Sequence, residues 1–191
     1  KVILFELLAK SLSILIAPIS LAVLPKIDFG EYQFALSISL ILLPIITLNT
    51  ASWGRHLELR GKKYLQKQSN AVVLFFLTVS IIGLIEKSGI IAIIFSTWAY
   101  RFCMYKFSAC KNRSNYYIIL LIFPLIQILI LLFYFVLNLK CDYKIRVILY
   151  VISIITPLLW VLIKSGIEIN FRYSTLKRYV KSSTIFGSGL M

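Results

Sequence analysis

Carboxylates are scarce in this chain: seven Asp and Glu stand against 21 Lys and Arg, and His56 is the single histidine. Acid–base and metal chemistry need converging carboxylates, imidazoles or thiolates. The sequence contains no HExxH, no GxSxG and no paired acidic motif for a metal-bound sugar nucleotide. His56 follows Arg55 with nothing nearby to orient it as a base. The three cysteines, Cys103, Cys110 and Cys141, form no CxxC pair and fall in one apolar run and on loops of opposite predicted side, which excludes a disulfide and a thiolate metal site. These shortages argue against an enzyme and imply no cofactor and no metal. Also missing are a polar stretch long enough for a soluble domain, any low-complexity tract, and a cleavable signal, since the first apolar run is too long and is interrupted by Lys10 and Pro18.

What the chain has in abundance is hydrocarbon. With 60% hydrophobic residues and a mean hydropathy of +0.89, it cannot coat a water-soluble globule. Apolar runs cover Val2–Leu24, Tyr32–Ser52, Ala71–Ile85, Ile90–Tyr105, Tyr117–Leu137 and Val147–Ile163, against the roughly 20 residues a helix needs to cross about 30 Å of hydrocarbon. The expected fold is all-α, a six-helix membrane bundle over residues 1–163. A basic cytoplasmic connection and the start of a further helix occupy 164–191. The chain begins at Lys1 rather than Met, and its last apolar residues resemble a span cut short, which predicts a piece of a longer protein.

The third and fourth runs are short, so they could fuse into one tilted helix or form a re-entrant pair. Charge decides against fusion. Six crossings from a cytoplasmic N-terminus put 14 Lys and Arg on one side and only Lys26, Lys87, Lys140, Lys144 and Arg146 on the other. Fusing the two runs makes the balance nine against nine, whereas short cytoplasmic loops retain the basic residues. A tight hairpin at Glu86–Lys87–Ser88 before Gly89 suits either six crossings or four with a re-entrant pair. The formal charge of +14 therefore reports orientation and attraction to an anionic leaflet, and no nucleic-acid partner is expected.

Charged residues inside apolar runs are costly at membrane depth and normally face a bundle interior or wet cavity. Arg101 is the foremost, with Ser96 and Thr97 completing a polar stripe; snorkelling to the headgroups is its alternative. Glu6 and Lys10 share a helix face with Ser13, either as a self-neutralising pair or with Lys10 lining a cavity. Ala9, Ser13 and Ala17 recur every four residues and favour close helix packing. Pro18, Pro44, Pro124 and Pro157 interrupt four runs and suggest kinks or hinges. Gln127 could satisfy the carbonyl freed by Pro124 or face a lumen.

Two stretches carry a family resemblance. Phe29-Gly30-Glu31-Tyr32, followed by Ala35, Ser37 and an apolar run to Gly54-Arg55, resembles the first hairpin of the O-antigen flippases and related polysaccharide exporters, including their short external FGxY-like turn. Tyr100-Arg101 with Tyr105 is similar to the aromatic–Arg signature late in their fourth helix. The resemblance implies one lobe of a two-lobe exporter in the bacterial inner membrane. That exporter moves an undecaprenyl-diphosphate-linked oligosaccharide between leaflets, with the second lobe and membrane lipids as partners. It also implies substrate-binding roles for Arg101, Lys10 and Arg55, the last at the cytoplasmic mouth, and leaves Glu6 as the candidate for ion coupling. Two other classes stay open: a multidrug exporter of the same superfamily, whose cationic drugs would call for acidic cavity residues, and a membrane polymerase or acyltransferase, which would need a large external loop or a His/Asp motif.

Overall fold

A computed structural model of the protein describes residues 2–47, 63–108 and 114–164, together with Lys177 and Lys181. These residues form six helices and no strand: α1 Val2–Val23, α2 Lys26–Thr47, α3 Lys63–Ile85, α4 Gly89–Ser108, α5 Ser114–Val136 and α6 Tyr143–Lys164. Three segments are long and apolar enough to cross a membrane: Phe5–Val23 in α1, Asn115–Val136 in α5 and Tyr143–Val161 in α6. In α3 and α4 the apolar stretches are shorter, Ala71–Ile85 and Gly89–Met104. The helices themselves are not short, because α3 continues back through polar residues to Lys63 and reaches 23 residues, about 34 Å.

The turns show why the helices stop where they do. After α3, Lys87 adopts φ 58°; its N–H donates to the Leu84 carbonyl at 3.2 Å and the Ser88 N–H to the Gly83 carbonyl at 2.8 Å. After α5, Asn138 adopts φ 50°, with Asn138 N–H to Phe135 O at 3.2 Å and Leu139 N–H to Tyr134 O at 3.0 Å. Both are Schellman caps, in which a left-handed residue lets the last carbonyls find donors. The α3–α4 turn makes two helices of what fusion would have made one.

The first hairpin departs from the sequence reading. Phe29-Gly30-Glu31-Tyr32 is not a turn: the chain reverses at Leu24 and Pro25, and the Phe29 N–H already donates to the Pro25 carbonyl at 2.9 Å. Proline lacks an N–H and is well placed just outside a helix start. A single Gly30 costs a helix only about 1 kcal/mol, too little to stop one that anchors Tyr32 in the core.

The central helix is α4, which packs on α2, α3, α5 and α6, while α1 lies mainly against α5. Placed at the centre, α4 buries Ile93, Trp98, Ala99 and Phe102, and of its few polar groups Thr97 and Arg101 face one side. The outer surface is apolar too: Ile27, Phe34 and Ile41 stand exposed at seven-residue intervals on α2, with Ile14 on α1 and Ile163 on α6. That surface suits hydrocarbon rather than water.

The α3–α4 pair is the tightest contact. A Cβ at Gly83 would stand 2.9 Å from the Ala92 backbone nitrogen and 3.0 Å from Ile91 Cγ2, and the Ser80 hydroxyl donates to the Ala92 carbonyl at 2.8 Å. Small residues permit this approach, as they do between membrane helices generally. Gly83→Ala should lower stability by about 1 kcal/mol, because overpacking of about 1–3 kcal/mol exceeds a propensity gain of about 1 kcal/mol. Gly30→Ala meets nothing within 4 Å and should raise it by about 0.5–1 kcal/mol. Thermal midpoints of the two variants in nanodiscs should move in opposite directions; a common direction would contradict the packing.

Candidate functional site

The turns after α1, α3 and α5 lie at one end of the bundle. Lys87 and Gly89 border a small cavity with Tyr143 and Lys144, and Leu24 and Pro25 border a groove with Lys140 and Asp142. That groove, about 650 Å³, carries Asp28 and Asp142 as well as Lys140. Its charges are mixed, so it selects no sign of ligand.

A second cavity, about 290 Å³, runs between α1, α2, α4, α5 and α6. Its polar wall comes from Ser13, Gln33, Thr97, Arg101, Gln127 and Tyr150, and Tyr32, Tyr100 and Phe123 supply aromatic faces. The helices place these groups by simple periodicity. Thr97, Tyr100 and Arg101 lie three and four apart on α4, and Phe123 and Gln127 lie four apart on α5. The aromatic faces are continuous: Tyr100 meets Phe123 at 4.7 Å between ring centroids, Phe123 meets Tyr150 at 5.9 Å, and Tyr150 meets Tyr32 at 6.2 Å. The Tyr150 and Thr97 hydroxyls are hydrogen-bonded at 2.7 Å, joining α6 to α4 across the back of the cleft.

Of the residues singled out in the sequence, Arg101 is on this wall and its side chain is exposed there. Thr97 accompanies it, but Ser96 does not; its hydroxyl turns into the bundle and donates to the Ile93 carbonyl at 3.1 Å. Lys10 is exposed and stands one turn from Ser13, outside the cleft wall, and Glu6 is half-buried two turns away. Arg55 lies outside the described residues. The small residues of α1 divide, with Ala9 and Ser20 buried and Ser13 and Ala17 open to the cleft. Pro18, Pro124 and Pro157 are inside helices. Gln127 faces the cleft, and its amide oxygen accepts a hydrogen bond from Arg146.

Arg146 is the main correction. Counted in the sequence as a charge on an external loop, it is fully buried. Its Nη2 donates to Gln127 Oε1 at 2.8 Å, and its guanidinium carbon stands 4.4 Å from the centre of the Tyr32 ring. The cause is local. Asp142 caps α6, accepting the Ile145 N–H at 2.8 Å on its carboxylate and the Arg146 N–H at 3.0 Å on its carbonyl. The helix therefore starts four residues before the apolar run and carries Arg146 inside. An Asp three residues ahead of an apolar periodicity was the available signal.

Cys141, expected on an exposed loop, is also buried, and burial pushes its thiol above the usual range. Thiolate, the reactive form, is correspondingly rare. An impermeant maleimide should modify Cys141 at least about tenfold more slowly than a cysteine introduced at exposed Lys140 (Lys140→Cys). Equal labelling rates in the folded protein would contradict this placement. Cys110 lies outside the described residues.

No family model, curated protein or solved structure matches this chain.

Proposed function

We propose that the chain is one lobe of a membrane exporter that carries a lipid-linked, diphosphate-bearing oligosaccharide across the bacterial inner membrane, with six crossings and a cytoplasmic N-terminus. The observation that carries this reading is Arg101 on the wall of a 290 Å³ cleft lined by hydroxyls, amides and aromatic rings. A diphosphate cannot enter hydrocarbon without compensation for its charge. A guanidinium supplies that compensation through charge-assisted, bidentate hydrogen bonds. The hydroxyl and amide groups of Ser13, Gln33 and Thr97 suit a sugar's hydroxyls, and the faces of Tyr100 and Phe123 suit its apolar ring faces. Among the described residues the wall carries a cation and no carboxylate, which disfavours a cationic drug as the load.

The same reading accounts for the open side of the cleft. Helices α1 and α2 meet only slightly, so a substrate, or a second lobe, can reach the wall between them. Lys10 is then a cation on the approach rather than in the cleft, and movement between leaflets comes from rocking of two lobes around it. The residue resemblance to O-antigen flippases at Tyr100-Arg101 supports the substrate class.

The direct test is translocation. Full-length protein reconstituted into liposomes should move a fluorescent polyprenyl-diphosphate oligosaccharide from one leaflet to the other, and a monophosphate-linked analogue much more slowly. Proteoliposomes that flip neither lipid faster than protein-free ones would refute the proposal.

A further inference from the structure

Arg146 is a buried cation whose demands are mostly unmet. Its hydrogen-bonding partner is an amide, not a carboxylate. Nε and Nη1, which carry three of the guanidinium's five N–H donors, have no hydrogen-bond partner among the described residues. It also sits in the first turn of the 22-residue α6, where the helix dipole adds positive potential instead of offsetting it. A buried charge left in this condition is strongly unfavourable. Two independent sources of positive potential, Arg146 and the α6 N-terminus, thus converge on one point with donors to spare.

That point is one side-chain layer behind the cleft. Gln127 and Tyr32, the two groups that touch the guanidinium, are both part of the cleft wall. Tyr32 covers Arg146 by a cation–π contact, a weaker interaction than charge-assisted hydrogen bonds to an oxyanion. The ring belongs to the buried core as well as to the cleft wall, so its movement is the step an entering anion has to bring about.

We propose that Arg146, with the side-chain amide of Gln127, is a second anion station of this bundle, taking a phosphoryl oxyanion at Nε and Nη1 when Tyr32 moves aside. The station rests on the exporter reading of the cleft and deepens it. Arg101 lies about 18 Å along α4 from its Gly89 end, whereas Arg146 lies about 5 Å along α6 from Tyr143, at the same end of the bundle. The Cα atoms of the two residues are therefore staggered by roughly 13 Å along the helix axes. A phosphate held first by Arg101 is received by Arg146 nearer the face where the three turns lie, the external face by the charge rule.

The experiment isolates the second station by removing the first. Full-length Arg101→Gln protein in phosphatidylcholine nanodiscs is titrated with inorganic pyrophosphate, following both the thermal midpoint and the ¹⁵Nε–H resonance of Arg146. The expected result is a rise in midpoint and a shift of that resonance. Adding Gln127→Glu places a carboxylate on Arg146 and should weaken the response at least about tenfold; Arg146→Gln, which removes the resonance itself, should weaken the midpoint shift to the same degree. Discs containing phosphatidylglycerol without pyrophosphate ask whether a lipid headgroup reaches the same donors, in which case they alone reproduce the shift. An Arg101→Gln protein whose midpoint and Nε resonance respond to neither source overturns the station, as does an unchanged response in the Gln127→Glu variant. Translocation is measured separately. Flipping with no response at Arg146 sinks the station alone, and a response without flipping sinks the exporter reading alone.

Discussion

Replacing Arg101 by alanine is expected to abolish surface polysaccharide in cells that depend on this protein, while its level in the membrane stays normal. The guanidinium is exposed on the cleft wall, so its removal opens no cavity in the core and should change stability by no more than about 0.5 kcal/mol. Its loss from the proposed substrate site is a different matter. Two hydrogen bonds to a diphosphate, at about 1.5–3 kcal/mol each, amount to a hundredfold or more in affinity. Arg101→Lys keeps the charge without the planar fork and should restore export only in part. Immunoblots of membranes beside blots for surface polysaccharide read both quantities. Normal polysaccharide in the alanine variant would remove Arg101 from the site.

Replacing Gln127 by leucine is expected to destabilise the bundle by about 3 kcal/mol, although leucine is the better membrane residue. The reason lies in its partner. Gln127 Oε1 accepts a hydrogen bond from the buried guanidinium, and taking it away leaves that charge with no acceptor among the described residues. Arg146→Leu added to Gln127→Leu removes that charge, and replacement of buried ionic groups by well-packed apolar ones is often neutral or stabilising. The double variant should therefore recover most of the loss. Thermal or denaturant midpoints of the four proteins form a double-mutant cycle, which isolates the coupling. Additive losses would mean that the two side chains do not meet as described.

Much of the fold is legible in the sequence. The apolar runs locate all six helices, and Glu86, Lys87 and Ser88 mark the α3–α4 turn. Boundaries are less legible where polar residues continue a helix, as in Lys63–Asn70 of α3 and Lys26–Glu31 of α2. A polar side chain at the end of an apolar helix does not break it, since backbone hydrogen bonds continue wherever no proline or cap intervenes. The same limit hid Arg146, which precedes its apolar run by one residue and yet belongs to the helix that Asp142 initiates.

Composition alone determined that the chain is helical and apolar, because hydrophobic runs of this length satisfy their own backbone groups only as helices in a medium without water. It also determined that Arg101 shares a helical face with Thr97, since that relation depends on spacing within one segment. Which charges are buried was decided by the tertiary structure. Tyr32, Gln127 and Arg146 lie on three different helices, the first some hundred residues from the other two, and only the packing of α2, α5 and α6 brings ring, amide and guanidinium together. Burial is a property of neighbours, and no periodicity within one helix encodes which neighbours it will have.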